Sequence, residues 1–175
     1  MPPSPLPPEC PLLGLPPELH LLIASLLAFP DVLRLRCTSR YFYQLIPPLT
    51  HPQLLQAETT DYAIANDLYA CRYCLRLRPA ARFADRMLRR RRGRSGHDAA
   101  KRFCVECGMQ PRRGEARYGP GAQLVIQGMF VVICVACKEF AIGSCDRFGR
   151  GTPYCARCWE EKERQREAEM EEEKG

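Results

Sequence analysis

Four Cys-x-x-Cys pairs hold most of the chemistry this sequence can do: Cys71/Cys74, Cys104/Cys107, Cys134/Cys137 and Cys155/Cys158. A tetrahedral Zn2+ takes four ligands, and each Cys-x-x-Cys turn offers two thiolates from one short loop, so four pairs predict two four-cysteine sites. With all ligands supplied by the protein, no coordination position stays open, and such metals are structural rather than catalytic. A redox Cys-x-x-Cys sits in a strand-to-helix context and occurs once, so four copies argue against thiol exchange. Disulfides fit poorly as well: the chain has eleven cysteines, an odd number, and a reducing compartment keeps thiols unpaired. Of the three left over, Cys10 falls in the N-terminal tail, Cys37 is expected as a small core residue of a helix, and Cys145 as a loop thiol.

The elements that must position these pairs can be read around them. Gln123 to Ile126 and Met129 to Ile133 are β-rich runs separated by Gln127-Gly128, a hairpin signal, and the second run leads straight into Cys134. Gly108 follows Cys107 and suits a tight turn around a metal. Knuckle, hairpin, knuckle is a zinc-ribbon layout, which favours Cys104/Cys107 with Cys134/Cys137 and leaves Cys71/Cys74 with Cys155/Cys158. Sequential pairing is the main rival. The 26 residues between Cys107 and Cys134 exceed the usual ribbon spacing of about 15–20, whereas the 17 between Cys137 and Cys155 fit it. A RING finger is disfavoured, because its second and third ligand pairs lie close together.

Arg86 to Arg102 contains eight Lys/Arg with Gly93 and Gly96 among them, and reads as a solvated, flexible basic linker with import or phosphate binding as options. No aromatic is interleaved in Arg89 to Arg102, so base stacking has no platform there. The formal charge of +6 counts every cysteine as neutral; eight thiolates and two Zn2+ bring it to +2, which argues little for a polyanionic partner. From Trp159 onward the chain is highly charged without an a/d repeat, and is expected as an exposed helix or tail rather than a coiled coil. No Ser/His/Asp set or phosphate loop appears, and His20, His51 and His97 lie in unrelated contexts, so the chain is not expected to be an enzyme.

Gly14 to Pro48 is apolar and helical in pattern. Pro16-Pro17-Glu18 marks a helix start, Leu19, Leu22, Ile23, Leu26 and Leu27 recur at helical spacing, and Phe29-Pro30 stops the run. Asp31 begins a second helix with Val32, Leu33 and Leu35, and Thr38 or Ser39 caps a third with Phe42, Leu45 and Ile46. The first helix is apolar nearly all round, and two short helices cannot cover it, so it wants a partner. Its apolar run is too short to span a bilayer, and no membrane segment or signal peptide is expected. Six prolines in Met1 to Pro11 suggest a disordered tail.

The residues Leu15-Pro16-x-Glu18-Leu19, Ile23, Leu26, Asp31-x-Leu33-x-Leu35, Ser39-Arg40-x-Phe42 and Leu45-Ile46 resemble the F-box. The resemblance implies docking on the Skp adaptor of a Skp–cullin–F-box ubiquitin ligase, with Leu15, Pro16, Leu19, Ile23, Leu26, Leu33 and Leu35 as candidate contacts. Cys71, Cys74, Leu75, Arg76, Pro79, Arg82, Phe83, Ala84 and Asp85, followed by Arg102 to Gly108, resemble the cysteine region of a family of fungal F-box proteins. The expected role is a substrate-receptor subunit in cytosol or nucleus, binding the adaptor, through it a cullin, and an unidentified protein target. The alternative is a zinc-ribbon nucleic-acid-binding protein using 86–102. The expected fold is small α+β and zinc-stabilised. It comprises a tail (1–13), a three-helix F-box (14–48), a helical connector (49–70), a zinc module with a β-hairpin (71–158), and a charged C-terminal helix (159–175).

Overall fold

The computed structural model describes residues 10–110, 114 and 116–172; most of the proline-rich tail therefore lies outside the described residues. The chain divides into two units, Met1–Leu49 and Thr50–Gly175. In the first, a 3-10 turn at Pro11–Gly14 precedes three helices, α1 (Pro17–Leu26), α2 (Asp31–Arg36) and α3 (Arg40–Leu45). Pro17 at the first turn suits a helix start, and the Ser39 side chain caps α3 by accepting from the Phe42 N–H. The three helices share a small core of Ala24, Phe42 and Ile46, against which Leu12, Val32, Leu35 and Leu45 pack. Cys37 is not in that core; it follows α2 and is exposed.

His20 is the most deeply buried side chain of this unit among the described residues. Its Nε2 lies 2.6 Å from the Leu12 carbonyl and its Nδ1 2.8 Å from the Tyr41 hydroxyl. A carbonyl can only accept, so Nε2 carries the proton and Nδ1 accepts from Tyr41. The ring thereby ties the 3-10 turn to α1 and α3, which makes it a structural histidine.

The second unit opens with α4 (His51–Ala57) and α5 (Asp61–Ala65), each capped by the preceding threonine. A two-stranded hairpin, β1 (Leu68–Cys71) and β2 (Arg76–Pro79), follows, so the stretch 49–70 ends in a strand. The basic stretch 86–102, expected as a flexible linker, is instead ordered, with 3-10 turns at Asp85–Met87, Arg90–Arg92 and Ala99–Lys101. The reason is a buried ion pair: Arg102 and Glu58 are both fully enclosed, and Glu58 also accepts the Ala70 N–H at 2.8 Å. Arg94 joins them by donating to the Glu58 and Leu68 carbonyls and stacking 4.3 Å over Tyr69. Two arginines of the stretch are thus fixed inside the fold.

Beyond α6 (Val105–Met109) a four-stranded antiparallel meander runs β3 (Gln123–Ile126), β4 (Met129–Ile133), β5 (Phe140–Cys145) and β6 (Gly151–Cys155). The β3–β4 turn is Gln127-Gly128 with both φ positive, the geometry of a two-residue hairpin. Asp85 grips that turn, accepting the Gln127 N–H at 2.8 Å and the Gly128 N–H at 3.3 Å. Phe83 and Ala84, just before it, enter the main core with Leu124, Ile126, Val131 and Ile133. The charged helix α7 (Ala156–Glu172) begins three residues before Trp159, directly from β6. None of the helices among the described residues is long and apolar enough to cross a membrane.

Candidate metal centres and partner surface

The eight paired cysteines form two sets. Cys71, Cys74, Cys104 and Cys107 make one, Cys134, Cys137, Cys155 and Cys158 the other, and within each set all four sulfurs lie within 4.8 Å of one another. The pairing is therefore sequential, and the ribbon pairing of Cys104/Cys107 with Cys134/Cys137 is corrected. The β3–β4 hairpin does not close a site because β4 continues into a meander. Its third and fourth strands carry the chain back from Cys137 and deliver Cys155 beside Cys134, which share an apolar cluster.

Both sets are built from the same two parts. The first is a knuckle in a strand turn: Cys71/Cys74 between β1 and β2, Cys134/Cys137 between β4 and β5. Each knuckle is closed by the residue after its second cysteine, which sits in the left-handed region. Leu75 (φ 51°) donates to the Cys71 carbonyl at 3.1 Å and Lys138 (φ 60°) to the Cys134 carbonyl at 2.9 Å. The second part is a helix start: Cys104/Cys107 open α6 and Cys155/Cys158 open α7. Unpaired N–H groups there favour thiolates. Gly108 follows the knuckle without a positive φ, and a Cβ there would come within 2.3 Å of the Tyr118 ring. The glycine lets Tyr118 close over the knuckle.

The sulfurs fit a tetrahedral ion. Zn–S bonds of about 2.3 Å place thiolates about 3.8 Å apart. The Cys137 and Cys155 sulfurs are 3.8 Å apart. The thiols of each set differ in how readily they ionise. A hydrogen bond from Cys104 and backbone N–H groups, that of Cys104 at 3.3 Å among them, hold Cys71 down at about 4. The Cys104 thiol is pushed well above its ordinary range by the same contact. At the second set, burial opposes ionisation of Cys134, but the N–H groups of Cys155, Cys137 and Ala136 prevail and lower it to about 6, while Cys155 pushes Cys158 up to about 12. In each set hydrogen bonds thus favour ionisation of one knuckle cysteine, and a metal would displace the remaining protons. Both sets are compatible with a zinc ion.

The other candidate surface lies on the first unit. Leu15, Leu19 and Leu26 are exposed, Leu26 to 79%, as is Pro16, while Ile23, Leu33 and Leu35 are half-buried and Leu35 packs on the helical core. Leu21 and Leu22 are exposed as well, Leu22 to 55%. A helix with this many leucines in water has an apolar face that its own unit leaves uncovered. Sequence spacing could not separate Leu35 from the exposed leucines, since all recur on helical periods.

Some functional groups escaped the sequence reading. The Arg102–Glu58 pair joins residues 44 apart, and Glu58 lies in a helix cap with no pattern to mark it. Among the described residues neither His51 nor His97 joins a cysteine set, and His97 lies 3.4 Å from Asp98. Cys145 ends β5 and is exposed, and Cys10 is exposed too.

Residues 12–51, slightly more than the stretch Gly14 to Pro48, match the family model of the F-box-like domain. No curated protein and no solved structure matches the chain.

Proposed function

We propose that the chain is the substrate-receptor subunit of a Skp–cullin–F-box type ubiquitin ligase, as a non-enzymatic adaptor. One observation carries the reading: the segment that matches the F-box-like model leaves Leu15, Leu19, Leu22 and Leu26 exposed on and beside one helix. F-box-like domains bind Skp-type adaptors, and the adaptor would cover that face, with the cullin reached through it. In this reading the second unit recognises a protein to be ubiquitinated. Its two cysteine sets hold structural Zn2+, since four protein thiolates leave no open position for chemistry. Free thiols in such number call for a reducing compartment, cytosol or nucleus.

A pull-down of the full chain on purified Skp adaptor tests the central claim. The wild type should be retained. Leu15→Ala with Pro16→Ala should weaken retention by about tenfold or more, the cost of removing a buried leucine contact, with metal content unchanged. Undiminished retention of the double variant, or none of the wild type, rejects the adaptor role.

A further inference from the structure

Helix α7 and the turn joining β5 to β6 flank an open groove of about 480 Å3. That turn is tight. The Asp146 N–H donates to the Arg150 carbonyl at 2.8 Å, and the Asp146 carboxylate accepts the Phe148 and Arg150 N–H groups, each at 2.9 Å. It holds the Phe148 ring outward, 65% exposed, with the Arg147 and Arg150 guanidinium groups 4.7 and 5.1 Å from its centre. From the helix, Trp159, Glu163, Arg166 and Met170 line the same groove. Their spacing of four, three and four residues puts them on one stripe of an α-helix. Trp159 is half-buried and Met170 exposed, so the stripe is apolar at both ends and charged in the middle. Glu161 and Arg164, three residues apart, form an ion pair at 2.6 Å. Glu163 and Arg166, at the same spacing, form no ion pair among the described residues.

The order of residues along the stripe points to its occupant: we propose that α7 binds the α7 of a second copy of this chain, antiparallel and about a two-fold axis. Antiparallel helices run their numbering in opposite directions. Setting Trp159 against Met170 of the other copy therefore sets Glu163 against Arg166 at once, and the symmetry makes each contact twice. One register thus covers both apolar ends and neutralises both central charges. A parallel pair would set Glu163 on Glu163 and Arg166 on Arg166. The flanks are mixed: Lys162 faces Glu169, whereas Glu160 faces Glu167, which shares its side of the groove with Arg147. The central pairs accordingly decide the register. A stripe carrying both signs in equal number attracts neither a polyanion nor an acidic membrane, and its own copy returns both signs in order. The contact spans about 17 Å of helix at 1.5 Å per residue. That is small for a permanent dimer, so the association is concentration-dependent, with a midpoint of about 10–100 μM. It lies wholly within the second unit and does not depend on the adaptor reading.

The test is sedimentation velocity of the full, metal-loaded chain over about 1–500 μM, in reducing buffer so that the exposed Cys37 and Cys145 cannot link copies. The wild type should pass from one chain to two across that range. Glu163→Arg alone puts Arg against Arg, and Arg166→Glu alone puts Glu against Glu, so each should raise the dimer dissociation constant at least about tenfold. An equimolar mixture of these two variants should dimerise again, because each supplies the charges that the other lacks. Met170→Ala should weaken the wild-type dimer several-fold. All three side chains are exposed, so the variants should keep wild-type metal content. A wild type that stays monomeric throughout, single charge variants that dimerise like the wild type, or a mixture no better than its components would each overturn the assignment. Growth beyond two chains would mean an open-ended contact in place of the two-fold one and would overturn it as well.

Discussion

The two units solve the same shortage in opposite ways. The N-terminal unit spends few apolar groups on its interior, with Ala24, Phe42 and Ile46 buried, and leaves six leucines of α1 and its approach in water. The C-terminal unit encloses Phe83, Met87, Leu124, Val132 and their neighbours, adds a sealed ion pair, and still gathers eight thiols that bring no hydrophobic stabilisation equal to their number. One unit is short of cover on the outside, the other of cohesion on the inside. In the proposed reading, what completes the first is a protein surface and what completes the second is a metal. On that reading, exposed leucine and buried cysteine are two forms of one signal, a domain whose final stabilising contacts come from outside its own chain.

Metal removal should divide the units most sharply. Structural zinc contributes about 10–16 kcal/mol of apparent binding energy per site in small zinc modules. A chelator should therefore unfold the C-terminal unit, read from the emission of Trp159, the sole tryptophan, whose ring lies 5.8 Å from Tyr154. The helices around Phe42 should keep their structure in the same sample. Cys104→Ser should release one metal and disorder Cys71/Cys74 while Cys134, Cys137, Cys155 and Cys158 retain theirs. Loss of the metal at the second set instead would restore the ribbon pairing.

The next effect in size comes from the ion pair. Glu58→Ala leaves the Arg102 guanidinium sealed without a counter-charge, and should cost about 3–5 kcal/mol in urea unfolding of the metal-loaded chain. A loss under about 1 kcal/mol would mean that the cysteine sets alone hold the unit and that the contrast between the units is sharper still.

The smallest effect belongs to the helical surface. Leu26→Ser should change stability by no more than about 0.5 kcal/mol, because the side chain already stands in water. A marked destabilisation would show that Leu26 is covered within the chain and would erase the comparison.

Local patterns were legible in the sequence wherever one element decided them. Gln127-Gly128 marked its turn because only a two-residue loop with positive φ joins the flanking β-rich runs, and Ser39 marked α3 because its hydroxyl caps the helix three residues on. Ligand types were legible too, since Cys-x-x-Cys spacing is set by one loop. Which loops share a site was not, because the answer lies in β5 and β6. Phe140 to Cys145 is split by Gly143-Ser144 and Gly151 to Cys155 contains Pro153, so neither advertises a strand. The hairpin that did advertise itself drew the pairing toward the wrong partner. His20 was hidden for a related reason: a lone polar residue on an apolar helix looks like its solvent side, and only the Leu12 carbonyl and Tyr41 hydroxyl, brought in by other elements, turn it inward.

Sequential pairing also orders events in time. All four sulfurs of the first set occur by residue 107, while those of the second begin at residue 134. A ribosome releases the chain from its N-terminal end at about 5–20 residues per second, and units fold as they emerge. The four cysteines of the first set are therefore all made before any cysteine of the second, and no early thiol waits for a late one. Crossed pairing would have kept Cys71 and Cys74 open until Cys158 appeared, exposed to oxidation and to the wrong neighbours. The arrangement lets the four sulfurs of each set be made together, in the order in which they are written.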